Sequence, residues 1–286
     1  MAYKIITDSG CDIKRELLNE WDVEMLSLSF RFTDDDVLHT EEDMGIAEFY
    51  AEMRGGRVAK TSAVNTETFK TEFAKYLAEG NDILYIGFSS GLSSTFSSGY
   101  LAAEALRSEY PDRKIIAIDT LAASAGQGLI VYLAKNQRDE GKSIDEVAEY
   151  VKEISPKMAH WVTVEDLVYL KRGGRVSAAS AFFGNLLGIK PMIHVDDAGH
   201  LIPVAKVRGR RASLNFIVDK FGETVVDTAA PIFISHADCL QDAEYVRDEI
   251  KKKYGADVQL ITDIGPVIGS HAGPGTVAFF YIAKER

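Results

Sequence analysis

Short apolar runs alternate with amphipathic stretches through the first half of the chain, which is the pattern of a parallel sheet covered by helices on both faces. The segments "YKIITD", "NDILYIGF" and "RKIIAID" read as strands. Between them, "NTETFKTEFAKYLAEG" places Phe69, Phe73 and Leu77 at helical spacing and ends on Gly80, a suitable C-cap. "SIDEVAEYVKEIS" behaves alike, with Ser143 as its N-cap. Beyond residue 155 the pattern changes: "HWVTVEDLVYL" alternates in places, and "IKPMIHVDDAGHLIPVAKV" reads as a hairpin around the Asp-Ala-Gly turn at 197–199. A helical "LQDAEYVRDEIKKKYG" and a terminal strand in "TVAFFYIA" follow. The expected architecture is an α/β domain with a parallel sheet over residues 1–155, then an α+β domain with a mixed or antiparallel sheet over 156–286.

Composition narrows the function classes. The 286 residues are 46% hydrophobic and 26% charged, an ordinary globular balance, and the formal charge of -11 argues against nucleic acid as the main partner. "MAYKIITDSGCD" enters strand-like sequence directly, without the basic and apolar regions of a signal peptide, and no apolar run approaches the ~20 residues that span a bilayer. The two cysteines, Cys11 and Cys239, lie far apart and outside any C-x-x-C or His-rich stretch. A cytoplasmic protein with ordinary thiols is the expectation.

Three strands of the first half end alike, on Asp8-Ser9, Ser89-Ser90 and Asp119-Thr120, and a further hydroxyl pair, Thr61-Ser62, precedes a helix. Ligands of open parallel sheets lie beyond the carboxyl ends of strands, so together these groups point to one polar crevice; singly, each pair also suits a cap. The turn in "GFSSGLSSTFSSG" is crowded with hydroxyls, yet no Lys or Arg occurs between residues 81 and 106 and the Walker pattern is absent. Neutral donors at a helix N-terminus suit a single negative charge, such as a carboxylate. Gly87-Phe88-Ser89-Ser90-Gly91 also fits G-x-S-x-G, the nucleophile elbow of serine hydrolases, with His236 or His271 as the base. Few strands precede Ser89 and no HGGG-type oxyanion segment lies upstream, so the hydrolase is the alternative reading.

A second glycine-rich constellation, "DIGPVIGSHAGPGTVAFFY", holds Gly265, Gly269, Gly273 and Gly275 with Pro266 and Pro274. It reads as a stiff irregular loop with His271 in its middle, where glycines permit close approach of a ligand. That position, away from an apolar face, makes His271 a candidate for function. No second His or Cys stands at metal-ligand spacing, so no metal is expected.

Seven segments, "ITDSGCDI", "TSAVNTETF", "GFSSGLSSTFSSGYLAAEA", "IDTLAASAGQGLIV", "EDLVYLKRGGRVS", "LLGIKPMIHVDDAGHLIPVAKVRGRR" and "IGPVIGSHAGPGTVAFFY", resemble, in order, the motifs of the bacterial DegV family. The resemblance covers essentially the whole chain. It implies a Rossmann-like first domain, an α+β second domain, and a long-chain fatty acid clasped between them. Family members serve as the lipid-carrying, FakB-like subunit of bacterial fatty acid kinase. A separate DhaK-like, ATP-binding partner then phosphorylates the carboxylate, so the resemblance implies neither catalytic residues nor a cofactor in this chain.

By motif, the resemblance assigns the carboxylate contacts to Thr61, Ser93 and His271, with Ser62 and Ser94 as further candidates. The chain departs from the family at Ala63-Val64-Asn65, usually Gln-Pro-Ser, and at Ser94, usually Gly. Candidates for an acyl tunnel lie in "SAFFGNLLGIKPMI": Phe182, Phe183, Leu186, Leu187, Ile189 and Met192 line a tunnel or simply fill a core. Two basic clusters stand out on an acidic chain: Lys171-Arg172 with Arg175, and Lys206, Arg208, Arg210 and Arg211. Cationic groups steer an acidic partner, so Arg172, Arg175, Arg208 and Arg210 are candidates for a kinase-docking surface, against a solvated or ion-paired face.

Overall fold

Apolar runs that are buried on both faces become the strands of a central sheet, as the sequence pattern demands. The computed structural model describes residues 2–176 and 188–286. Its first half runs β1 (Tyr3–Asp8), α1 (Arg15–Glu20), β2 (Val23–Leu26), β3 (Ser29–Phe32), α2 (Ile46–Arg54), β4 (Ala59–Ser62), α3 (Thr66–Ala78), β5 (Asp82–Gly87), α4 (Thr95–Glu109), β6 (Ile115–Asp119), α5 (Ala125–Asp139) and α6 (Ile144–Ile154). The second half runs β7 (Met158–Thr163), α7 (Val168–Gly173), β8 (Ile189–Val195), β9 (Leu201–Arg208), α8 (Arg210–Thr224), β10 (Phe233–His236), α9 (Leu240–Tyr254), β11 (Leu260–Asp263), α10 (Pro266–Ala272) and β12 (Val277–Ile282).

Strands β2, β1, β5 and β6 form, in that order, a four-stranded parallel sheet. The second sheet has the order β11-β10-β12-β7-β8-β9 and is mixed, antiparallel throughout except for the β10–β11 pair. A separate antiparallel ribbon, β3 with β4, sets Thr61 opposite Phe30. The expected α/β architecture with a parallel and then a mixed sheet is what the chain adopts.

Helices cover the sheets in layers. Phe69, Phe73 and Leu77 of α3 and Ala102, Ala103 and Leu106 of α4 bury one face of the parallel sheet. On the other face, α5 is shared: it packs against β5 and also against β7, β10 and β12. One core therefore runs from Ile5, Leu84 and Ile86 through Leu129 and Ile130 to Phe233, Ala278 and Phe280. Leu214, Ile217 and Phe221 of α8 and Val246 and Ile250 of α9 cover the outer face of the mixed sheet. The division read at 155/156 falls in the turn between α6 and β7, within a core that is continuous across it.

Local chemistry sets the helix ends. Ser143 and Glu146 complete a capping box at α6, and the Asn65 side chain accepts from the Thr68 N–H at α3. One expectation fails here: the Gly/Pro segment before β12 is not an irregular loop. Pro266 occupies the first turn of α10, where a missing N–H costs nothing, and Gly273 at φ 80° ends the helix. His271 consequently stands in the last turn of a helix.

Candidate functional site

The loops beyond β5 and β6 meet β7, β8, β12 and α10 around a cavity of about 240 Å³. Alternation along the strands decides which side chains reach it. Val162 of β7, Ile193 and Val195 of β8, and Ala278 and Phe280 of β12 face inward, joined by Leu92 from the loop after β5. Their neighbours Ala159, Met192, Val277 and Phe279 point the other way, into the core under α8 and α9. Met192 is therefore a core residue and not a cavity wall, because Ile193 takes the inward position. Ile189 shares the inward parity of β8 but lies beyond the cavity, half-buried at the start of the strand. Phe182, Phe183, Leu186 and Leu187 lie outside the described residues.

Polar groups collect at one part of this apolar wall. Thr61, Ser93, Ser94 and His271 all line it. Thr61 Oγ1 and His271 Nε2 are 2.8 Å apart in a hydrogen bond that joins β4 to α10. Ser93 Oγ lies 2.9 Å from Thr95 Oγ1 and accepts from the Thr95 N–H at 3.2 Å, an arrangement that fixes the hydroxyl at the start of α4. Ser62, next along β4, is exposed and points away from the cavity, as strand alternation requires. The structure thus brings together four of the five proposed carboxylate ligands and excludes Ser62.

His271 is held as a neutral imidazole. Burial, and secondarily the nearby Arg175 guanidinium, push its pKa down from 6.5 to about 4. Its Nδ1 is buried and has no hydrogen-bond partner among the described residues. Gly173 in the last turn of α7 packs directly against that nitrogen, so closely that any Cβ at this position would collide with the ring. Gly173 of "KRGGR" therefore contributes to the site, a position the sequence pattern does not single out. Because the folded pKa lies below the ordinary value, the neutral ring's contribution to stability is present above pH 6.5 and is lost as pH falls toward 4. A proton NMR titration of the ligand-free protein should place the His271 midpoint near 4, with apo-protein stability declining across that window.

Arg175, read from the sequence as part of a basic cluster, reaches the site. It lines the cavity, donates from Nε to the Leu92 carbonyl at 3.2 Å and from Nη1 to the Gly173 carbonyl at 2.6 Å. The site consequently has a cation at its edge, contributed by a distant segment; the stretch from 81 to 106 supplies only neutral donors. Arg175 is nonetheless exposed, so it borders both the cavity and the surface. Arg210 is likewise engaged, paired with Asp242 of α9 at 2.8 Å, because it begins α8 directly beside the start of α9. Arg172 and Arg208 are exposed, the former with its guanidinium 5.9 Å from the Tyr169 ring centroid.

The polar ends of the parallel strands do not form one crevice. Asp8 is fully buried and accepts from Tyr85 Oη, the Phe88 N–H and the Gly10 N–H, which saturate its oxygens locally. Asp119 accepts from the N–H groups of Ser90 and Leu121, and Thr120 Oγ1 donates to the Gly87 carbonyl. These side chains cap turns. Ser89 is completely buried, and its Oγ donates to the Gly199 carbonyl at 2.9 Å. His271 bonds Thr61 and His236 lies 3.7 Å from Asp263, so neither is hydrogen-bonded to Ser89. A serine without solvent access or a bonded base is not an activated nucleophile.

A family model described as "Uncharacterised protein, DegV family" matches residues 2–284. The chain belongs to the DegV family. A DegV domain-containing protein of Clostridium perfringens is 40% identical over 286 residues, spanning 99% of this chain and 98% of its own length. A Thermotoga maritima relative named a fatty acid-binding protein is 33% identical over 294 residues, covering 100% of this chain and 99% of the relative. The solved structure of a DegV-family protein from Thermus thermophilus, described by its fatty acid binding, superposes with a TM-score of 0.88 at 28% identity, over 99% of this chain and 100% of that one. Among the described residues of this DegV-family chain, no cluster of His, Cys, Asp and Glu has the arrangement of a metal site, and no helix is long and apolar enough to cross a membrane.

Proposed function

We propose that the protein binds a long-chain fatty acid in the cavity, tail among the apolar walls and carboxylate against Thr61, Ser93, Ser94 and His271, and presents that carboxylate to an ATP-dependent, DhaK-like kinase partner. The observation that carries this reading is one cavity with apolar walls and a local cluster of hydroxyl and imidazole groups. Relatives described as fatty-acid-binding support it. At ~0.8 kcal/mol for each buried methylene, the ~14 of a sixteen-carbon chain supply roughly 11 kcal/mol before ordering costs, so affinity comes from the tail. The headgroup's donors offset the cost of taking a carboxylate out of water and fix its direction. In this reading the protein is a carrier and the partner supplies the phosphoryl-transfer chemistry.

Incubated with radiolabelled oleate, ATP and the kinase subunit from its own host, the protein should support acyl-phosphate formation trapped as the hydroxamate. Reversal of the exposed Arg172 to Glu should slow that reaction, most steeply at low salt, with oleate still bound. If the oleate-loaded protein yields no acyl phosphate with a kinase that is active on another carrier, presentation to a kinase is wrong. If Arg172→Glu instead releases oleate, Arg172 belongs to the ligand site.

A further inference from the structure

Asp12 joins both halves of the molecule through hydrogen bonds to Ser124, Thr262 and Gly265. It follows the turn after β1 in a left-handed conformation, φ 50°, and is buried. Three groups converge on it. Its Oδ1 accepts the Gly265 N–H at 2.9 Å, at the entry to α10. Its Oδ2 accepts from Ser124 Oγ, at the start of α5 on the cavity wall, and its backbone carbonyl accepts from Thr262 Oγ1 at 2.9 Å, near the end of β11. Helix α10 is seven residues long and is tied at its other end by the bond between His271 and Thr61. So short a helix has little hold of its own; it packs against α7, β3 and β4, Tyr50 Oη donates to the Ile264 carbonyl just before it, and these two ties fix its ends.

We infer that Asp12 is a positioning residue for the carboxylate end of the cavity, holding α10 where His271 meets Thr61. Loss of the Asp12 carboxylate leaves the Gly265 N–H buried without an acceptor and frees the first turn of α10, so the ring six residues on loses its register with Thr61. Asparagine keeps an acceptor of the same reach and should restore the position. The inference relies on the fatty-acid reading for the ligand that His271 receives; the place of His271 itself does not depend on that reading.

Asp12→Ala and Asp12→Asn should be compared with the parent for affinity toward oleate and oleyl alcohol, which share a tail but not a carboxylate, and for the His271 NMR midpoint in the ligand-free protein. Asp12→Ala should lose about tenfold or more in oleate affinity, with oleyl alcohol changed by less than about threefold, as expected for one lost headgroup contact. Its His271 midpoint should rise from near 4 toward 6.5. Asp12→Asn should resemble the parent in all three. An Asp12→Ala protein that keeps both oleate affinity and the His271 midpoint overturns the inference, as does an equal loss of the acid and the alcohol. Where Asp12→Ala does not fold, Gly265→Ala gives the same readings, because its methyl would stand 3.1 Å from Asp12 Oδ1 and press on that contact. A parent that binds neither lipid defeats the fatty-acid reading alone, and the His271 midpoints then decide for or against Asp12.

Discussion

Substituting Ala278 by phenylalanine is expected to weaken fatty-acid binding by roughly a hundredfold or more in a protein that still folds. Ala278 sits on β12 opposite Val162, and both face the cavity. Its side chain is small and lines the cavity, so an added ring would extend into the cavity. Overpacking a filled core costs about 1–3 kcal/mol, whereas filling a void returns contacts, so the melting temperature should hold or rise. The tail and the new ring would compete for the same volume, and oleate affinity should fall by roughly a hundredfold or more, since a loss of only ~3 kcal/mol of buried methylenes suffices. Fluorescent fatty-acid displacement, read beside a thermal melt, checks both halves. A variant that binds oleate normally would place the ligand elsewhere.

Replacing His271 by alanine should weaken retention of the acid by about 1–3 kcal/mol, roughly ten- to a hundredfold, with much less effect on an alcohol of the same tail. The ring reaches Thr61 through Nε2, and removing it takes away the imidazole proposed to meet the carboxylate and leaves Thr61 Oγ1 without its 2.8 Å partner. The cation Arg175 remains at the cavity, so a charge attraction for the acid should persist while the geometry of the contact is lost. Competition between oleate and oleyl alcohol measures this directly. Equal weakening of both lipids would show that His271 supports the cavity as a whole.

The contrast between what the sequence yields and what it withholds follows from range. Strands β1, β5 and β6, helices α3 and α6, and the β8–β9 hairpin declare themselves through periodicity and caps that operate within a few residues. Whether a polar side chain faces a ligand depends on neighbours far away in the chain. Asp8 and Thr120 have the composition of site residues, yet Tyr85, Phe88 and Gly87 consume their hydrogen-bonding capacity. Arg175 looks like free surface charge in a basic cluster until Leu92, 83 positions away, supplies its carbonyl. The parity of β8 was equally hidden: Met192 and Ile193 are both apolar and both fully buried, and only the pairing of the strand tells that Ile193 faces the cavity. Glycine and proline around His271 suggested a loop because both break long helices, but a seven-residue helix needs only Pro at its start and Gly beyond its end.

Native mass spectrometry of the protein purified without detergent or added lipid tests the central claim most directly. The account predicts an adduct whose mass matches a long-chain fatty acid, released on denaturation, restored by added oleate, and diminished in Ala278→Phe. Unliganded protein that also takes up no oleate from an excess would contradict it.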